Sequence, residues 1–164
     1  MTVVRINYCS LVEREVKALD SKTKKLKVTL RQEFSFYAND EVLNTILKNI
    51  AAGGVTIAAF TITKINMRNV NFVRFVVGPD SSNSSQANLV AQDALRSLGI
   101  QYDQEKVIQL IGNPGTPGIL STILEALYLH VVVFATYTGV TSIILNVSDI
   151  KSALRLLKKN NIIG

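Results

Sequence analysis

Part of this chain occurs twice, at a constant offset in residue number. The segment 42–61 aligns without a gap on the segment 119–138, and about half of the pairs that differ are apolar on both sides. Such a duplication predicts two copies of one supersecondary unit that pack against each other. The identical pairs are Leu43/Leu120, Thr45/Thr122, Ile46/Ile123, Leu47/Leu124, Val55/Val132, Ala58/Ala135 and Thr61/Thr138.

A shorter match follows at a smaller offset, where 94–98 resembles 153–157. The difference between the two offsets means that repeat 1 has additional residues between its two blocks. Insertions of this kind are tolerated in loops and hairpins. The predicted division is an N-terminal extension over 1–26, a first repeat over 27–106 and a second repeat over 107–164.

The spacing of apolar residues predicts the same order of elements in both repeats. In repeat 1 a half-buried strand alternates over 28–36, a helix follows over 42–50, and 55–77 has the pattern of a hairpin. A second helix covers 89–98. The segment 100–111 has no strong turn residue, so it can end repeat 1 and begin repeat 2. In repeat 2 the elements are a helix to Leu129, strands over 131–137 and 142–147, and a helix capped by Ser148 or Asp149.

Each repeat is therefore predicted to be β-α-β-β-α-β, an α+β, ferredoxin-like unit with its helices on one face of an antiparallel sheet. Two such units paired side by side would bury the apolar faces of their first helices. The predicted core residues are Leu43, Ile46, Leu47, Leu95, Leu120, Ile123, Leu124 and Leu154.

Cysteine content and hydropathy indicate the cellular compartment in which the chain is expected. The single cysteine, Cys9, cannot form an internal disulfide, and no apolar segment of the signal-peptide type opens the sequence, so we expect a cytoplasmic protein. The most apolar window, 119–137, contains Glu125 and His130, which argues against a membrane span. We therefore expect no contact with a membrane.

The formal net charge is +6, and its densest basic run, 22–27, has no aromatic residue between its lysines. A solvated linker explains that run more simply than a nucleic-acid patch, so a nucleic-acid partner is not expected.

Residue types that support catalysis are scarce. His130 is the only histidine, and the duplication aligns it with Gly53 at a turn, with no nucleophile or carboxylate nearby in sequence. The chain has no Cys/His cluster, no Walker loop, no G-x-G-x-x-G and no G-x-S-x-G motif. We therefore expect neither an enzyme nor a metal or other cofactor.

The run 115–127, followed by a predicted hairpin and by 149–157, resembles an ACT domain, whose signature is Pro-Gly at the first β-to-α turn. Pro117-Gly118 matches the signature, whereas repeat 1 has Asp40-Glu41 at that turn. The whole chain resembles the small bacterial proteins made of two tandem ACT domains. The resemblance implies a non-catalytic regulatory module that binds an amino acid or similar small zwitterion, forms a homodimer or higher oligomer, and acts on a protein partner.

The turn before the third helix is the candidate ligand site. Backbone N–H groups and the positive end of a helix dipole attract a carboxylate, and glycines permit its close approach. A rigid turn that merely starts a helix fits the same residues. The candidate residues are Asn113, Pro114, Gly115, Thr116, Pro117, Gly118, Ile119 and Leu120 in this turn, Asn39, Asp40 and Glu41 in the equivalent turn of repeat 1, and Thr136 and Tyr137 on a strand.

Simpler structural roles remain open for several candidates. Helix capping explains Asp40 without a ligand, and strand propensity explains Thr136 and Tyr137. If the two turns met at an interface, Asp40 and Glu41 could receive the ammonium group of an amino acid. Two other functions are open as well: a structural or protein-interaction module without a ligand, and a nucleic-acid-associated regulator.

The N-terminal extension contains a segment, 3–8, that alternates in the manner of a strand, followed by an amphipathic stretch over 11–19. Repeat 2 ends soon after its last helix, so its sheet would lack a final strand. Because an unpaired edge invites another strand, we expect 3–8 to dock on a sheet edge, with a frayed terminus as the alternative.

Overall fold

The computed structural model describes residues 25–65, 69–79, 82–113 and 115–164. Ten elements follow one another in the order predicted for two repeats, and their bounds differ from the predicted ones by a few residues. They are β1 (Lys27–Ala38), α1 (Asp40–Ala52), β2 (Ile57–Lys64), β3 (Asn71–Val77), α2 (Ser85–Arg96), β4 (Tyr102–Ile111), α3 (Ile119–Leu127), β5 (Val133–Thr138), β6 (Ser142–Val147) and α4 (Ile150–Lys159).

All six strands belong to one antiparallel sheet in the order β2-β3-β1-β4-β6-β5. The sheet curls until its two edge strands meet, through a bridge between Ala59 and Gly139. A Cβ atom at Gly139 would collide with the backbone oxygen of Ala58, so the approach requires glycine. The prediction of two paired sheets is thus replaced by one curled sheet.

The helices cover one face of this sheet in two pairs, and each pair has its own core. Under α1 and α2 the core is aromatic, since Phe34, Phe36 and Phe75 are fully or almost fully buried there. Under α3 and α4 it is aliphatic, with Ile123 and Leu157 fully buried. The α+β, ferredoxin-type architecture with helices on one face is confirmed.

β4 has the double role that its sequence predicts. It pairs with β1 as the fourth strand of repeat 1, and it pairs with β6 as the first strand of repeat 2. The predicted boundary between 106 and 107 lies inside this strand. In the same way β1 occupies the fourth position in the sheet of repeat 2. The prediction that repeat 2 has an unpaired sheet edge is therefore wrong. The segment 3–8 lies outside the described residues, as does Cys9.

The ladder between β1 and β4 has a two-fold register. Leu30 is paired with Ile108, and Arg31 is paired with Val107. At the offset of the long match, Leu30 corresponds to Val107 and Arg31 corresponds to Ile108. If each residue is replaced by its equivalent in the other repeat, the pair Leu30–Ile108 becomes the pair Val107–Arg31. The two-fold centre of the duplication therefore lies between these two pairs. The two repeats face each other across the middle of one sheet.

The buried positions of the helices confirm the difference in residue number that defines the long match. They show that the corresponding difference for the short match is wrong. Ile46 and Ile123, an identical pair of the long match, are both fully buried. In the second helices, Leu95 accepts the N–H of Ile100, and Leu157 accepts the N–H of Ile162 in the same way. Both leucines are fully buried, so Leu157 is the structural equivalent of Leu95. The sequence match of 94–98 with 153–157 is thus about one helical turn out of phase.

The same shift explains why Leu154, one of the predicted core residues, is not fully buried. Leu154 is only half-buried because Leu157 takes the inward position of α4. Leu120 is 40% exposed, since it lies in the first turn of α3, which begins later than α1 does when the two repeats are aligned. Leu47 and Leu124 are half-buried, whereas Leu43, Ile46, Leu95 and Ile123 are buried as predicted.

Candidate functional site

The glycine-rich turn joins β4 to α3. Its last residue, Gly118, has φ 81°, a left-handed conformation that strongly favours glycine, and no side chain caps the helix that follows. The Asn113 side chain accepts the N–H of Gly115 at 3.0 Å, which holds the turn open at its start. Thr116 accepts the N–H of Ile119 at 3.2 Å through its backbone oxygen.

The other three helices begin with a side-chain cap. Asn39, Ser84 and Asp149 each accept a backbone N–H from the first turn of the helix that they precede. α3 is therefore the one helix of the described residues whose N-terminus has no such acceptor. An exposed helix start of this kind favours a negatively charged group.

The equivalent turn of repeat 1 is used differently. Asn39 or Asp40 was predicted to cap α1; Asn39 is the cap, and Asp40 has another role. Asp40 instead accepts hydrogen bonds from Asn71 at 2.7 Å and from Lys64 at 2.9 Å, which tie the start of α1 to the end of the β2–β3 hairpin. These bonds hold the pKa of Asp40 below its usual value, and the bond from Asn71 has the largest effect. Glu41 is exposed.

The two turns do not come together within one chain. β1 and β4 are antiparallel, so the turn after β1 and the turn after β4 lie at opposite ends of their ladder. Nine residue steps separate Lys27 from Phe36 along that ladder, which corresponds to about 30 Å. Asp40 and Glu41 are therefore far from Gly118 in the same chain.

Tyr137 does not face the glycine-rich turn. Its ring is buried inside the curl of the sheet, and its hydroxyl donates to Glu33 at 2.8 Å. Thr136 points to the opposite face and is half-buried. Of the candidates, the structure groups Asn113 and residues 115–120 in this turn and the start of α3, and Pro114 lies outside the described residues. The other candidates, Asn39, Asp40, Glu41, Thr136 and Tyr137, lie elsewhere.

The curl encloses a network of polar side chains that the sequence did not reveal. Glu33 is 1% exposed, and it accepts hydrogen bonds from Tyr137, Asn146 and Arg74 at 2.8 to 2.9 Å. Asn146 also donates to Glu105 at 2.8 Å. We call these five residues the Glu33 network. It joins β1, β3, β4, β5 and β6, and so it ties the two repeats together.

A second polar group lies beside it. Arg31 is 1% exposed and donates to the backbone oxygens of Val77 and Pro79 and to the side chain of Gln109, each at 2.7 Å. Gln109 in turn donates to Ser142 at 3.0 Å. Alternation along β1 predicted a solvated polar face, and that expectation is wrong for Arg31 and Glu33, because the curled sheet turns this face inward.

The Tyr137 hydroxyl gives the Glu33 network a signature at high pH. Burial, and then the nearby Glu33 carboxylate, raise the pKa of Tyr137 above its usual value of 10.0. Its contribution to stability is therefore fully present below pH 10 and is lost as the pH rises toward the folded-state value. Above pH 10 we expect this group to lower the free energy of unfolding by about 1.4 kcal/mol per pH unit.

Tyr137→Phe should remove that component, so the variant loses stability less steeply than the parent between pH 10 and 11.5. Urea titrations at several pH values measure the difference. Tyr37→Phe is the matched control, since Tyr37 is exposed and makes no hydrogen bond to the Glu33 network. Equal slopes for the parent and Tyr137→Phe would contradict the assignment of a buried hydroxyl.

An open surface pocket of about 340 Å³, which we call the polar cavity, lies between α2 and the central strands on the helix side of the sheet. Gln92 donates to Gln104 across it at 2.8 Å. The amide oxygen of Asn88 is buried and has no hydrogen-bond partner among the residues that the structure describes. The lining residues are Gln32, Asn83, Ser85, Asn88, Leu89, Gln92 and Gln104, none of which carries a charge.

Two further observations concern chemistry and membranes. In the described residues, no three His, Cys, Asp or Glu side chains lie close enough together to hold a metal ion. None of the helices in that part of the chain is long and apolar enough to cross a membrane.

His130 is exposed in the turn after α3, as predicted. Its backbone N–H donates to the backbone oxygen of Leu127.

Solved structures share this arrangement of strands and helices. Protein BT0572 from Bacteroides thetaiotaomicron has a TM-score of 0.62 and 16% identity, with 80% of this chain and 89% of that chain covered. The ligand-free regulatory subunit of aspartate kinase from Thermus thermophilus has a TM-score of 0.57 and 14% identity, with 84% and 99% covered. This chain has the fold of tandem ACT domains.

A third structure with this fold is Escherichia coli aspartokinase III in complex with aspartate and ADP, with a TM-score of 0.54, 15% identity, and coverage of 82% of this chain and 32% of that chain. The sequence itself matches no protein-family model and no curated protein. In the tandem ACT fold of this chain, Pro117-Gly118 lies at the first β-to-α turn of repeat 2, the position that the resemblance assigned to it.

Proposed function

We propose that this chain is a non-catalytic regulatory module that binds an amino acid or similar small zwitterion at the turn formed by Asn113 and residues 115–118. The observation that carries the proposal is the start of α3, where a left-handed Gly118 replaces a side-chain cap in a tandem ACT fold. The carboxylate of the ligand would accept backbone N–H groups of the first turn of α3 other than that of Ile119, which already donates to Thr116. A helix start is the usual binding site of an anion.

The structural neighbours support the regulatory role. One is described as a regulatory subunit of aspartate kinase, and another is an aspartokinase in complex with aspartate. Such a module acts by changing its packing when the ligand binds, provided that the ligand prefers one of two packings. The protein that receives the signal would then be the regulated partner.

The ammonium group of the ligand needs a partner that the turn does not supply. Asp40 and Glu41 of the same chain are about 30 Å away along the β1–β4 ladder, so these carboxylates could reach the ligand only from a second copy of the chain. We therefore place the ligand at a subunit interface of a homo-oligomer. Light scattering with and without amino acids tests the oligomer.

Ligand binding is tested by the melting temperature of the chain with each of the common amino acids. A ligand at about a hundred times its Kd should add about 2.7 kcal/mol to the free energy of unfolding. Gly118→Val should abolish that gain, since a β-branched residue does not adopt the φ of 81° that brings the ligand close to the backbone.

Two variants serve as controls for this experiment. Gly118→Ala strains the same turn less and should weaken binding without abolishing it. Gln104→Ala alters the polar cavity and should leave binding unchanged. If Gln104→Ala removes the gain and Gly118→Val does not, the ligand lies in the cavity. If no amino acid stabilises the chain, the module acts without such a ligand.

A further inference from the structure

One side of α3 is apolar and exposed. Leu120, Leu124 and Tyr128 are spaced four residues apart, so they follow one side of the helix and its C-terminal end. Leu120 is 40% exposed and Tyr128 is 71% exposed, whereas Ile123 and Leu127 on the other side are fully buried. We call the first three residues the α3 outer stripe. Exposed apolar surface of this kind marks a contact with another segment or chain.

The chain enters the described structure close to the turn that leads into α3. Leu26 lies beside Ile163 just before β1, and its N–H donates to the Ile162 oxygen at 2.9 Å. The Leu26 side chain lies against Gly112, because a Cβ atom there would collide with it. Gly112 directly precedes the turn that leads into α3. The segment 1–24 therefore joins the described structure near the N-terminal end of α3.

That segment contains a stretch of matching length and pattern. In 11–19, Val12, Val16 and Leu19 recur at helical spacing among charged residues. The stretch and α3 each have nine residues, about 13 Å as a helix. The six residue steps from Leu19 to Lys25 can span about 20 Å, which is enough to bring the end of the stretch to the N-terminal end of α3.

We propose that residues 11–19 pack as an amphipathic helix on the α3 outer stripe, antiparallel to α3. This direction places Leu19 beside the N-terminal end of α3, where the connection to Lys25 is shortest. Its beginning then lies beside the other end of α3, near Tyr128. This packing does not depend on the proposed ligand, so its failure would leave the proposed function untouched.

Cys9, two residues before the segment, is the only cysteine and allows a direct test in the full chain. A nitroxide spin label on Cys9 should remove more than half of the amide NMR intensity of Tyr128 and Leu129. The amides of α2, which belongs to the other helix pair, should keep their intensity. Reduction of the nitroxide restores the lost signals and gives the reference spectrum.

Two variants of the labelled chain separate docking from chance proximity. Val16→Glu places a charge on the apolar side of the segment and should restore most of the intensity at Tyr128. Glu13→Gln changes a charged position between the apolar ones and should leave the broadening in place. Broadening that survives Val16→Glu would overturn the proposal, and so would the absence of broadening at Tyr128 and Leu129 in the parent.

Contact with a second copy is tested by mixing. An isotope-labelled chain with Cys9→Ser is combined with an unlabelled chain that carries the nitroxide. The proposal predicts no broadening at Tyr128 in this mixture, because the contact lies within one chain. Broadening in the mixture as strong as in the singly labelled chain would overturn the proposal in favour of exchange between copies.

Discussion

Replacement of Phe75 by alanine is expected to lower the free energy of unfolding by about 3–5 kcal/mol. Phe75 is fully buried, and its ring centroid lies 5.6 Å from that of Phe34 and 5.6 Å from that of Phe36. Its loss leaves a cavity at the centre of the aromatic core and removes both ring contacts. Urea titration followed by circular dichroism measures the change.

Ile62→Ala is the control for this variant, since Ile62 is exposed on the neighbouring strand β2 and should cost less than about 1 kcal/mol. Because both repeats share one sheet, Phe75→Ala should also shift the unfolding of the repeat 2 half. A single transition with an unchanged slope is therefore expected. Two separate transitions, of which only one moves, would contradict the shared sheet.

Glu33→Ala is expected to cost about 3–5 kcal/mol, because it leaves partners of a buried charge without their acceptor. The Arg74 guanidinium loses its ion pair, in which the Glu33 side chain is 1% exposed and that of Arg74 is 20% exposed. The buried Tyr137 hydroxyl loses its hydrogen bond as well. Each loss adds the cost of a buried polar group without a partner.

Glu105→Ala is the matched control. Glu105 is paired with Glu33 on the β1–β4 ladder, but it is exposed and accepts a single hydrogen bond from within the network, from Asn146. We expect that variant to cost less than about 1 kcal/mol. Similar losses for the two variants, measured by thermal unfolding at pH 7, would show that burial of Glu33 does not matter.

The element order of the fold could be predicted because the duplication repeats the pattern of the core. The apolar spacing of α1 reappears in α3, and the pattern over 142–147 predicts a strand with the observed bounds. The offset of the second helices could not be predicted as well. Ala-Leu-Arg occurs in both helices, but the inward positions are held by Leu95 and Leu157, and burial rather than residue identity sets the phase.

The interior of the curl escaped prediction for a different reason. A strand with one apolar and one polar face is normally solvated on the polar side, and β1 has this pattern. The hydrogen-bond donors that compensate for the burial of Glu33 come from β3, β5 and β6, at sequence separations of 41 to 113 residues. No local pattern indicates such partners. Closure of the sheet through Gly139 likewise depends on a contact between distant edges.

The candidate ligand turn was found because its signal is local. Glycine and proline next to a helix start indicate a backbone conformation, and Gly118 has the left-handed φ expected of such a turn. The cap by Asn39 is a local signal as well, whereas the roles of Asp40 and Tyr137 were harder to predict, since each depends on hydrogen bonds to residues distant in sequence. The ligand-binding role of the whole set stays a prediction.

The two-fold register of β1 and β4 bears on how such a chain can arise. Two separate copies of repeat 1 could form the same ladder about a true symmetry axis, with Leu30 and Arg31 on either side of the centre. The present chain thus has the arrangement of a dimer of half-length units joined covalently. Joined units are free to differ, and the first β-to-α turns of this chain do differ: Asp40-Glu41 in repeat 1 and Pro117-Gly118 in repeat 2.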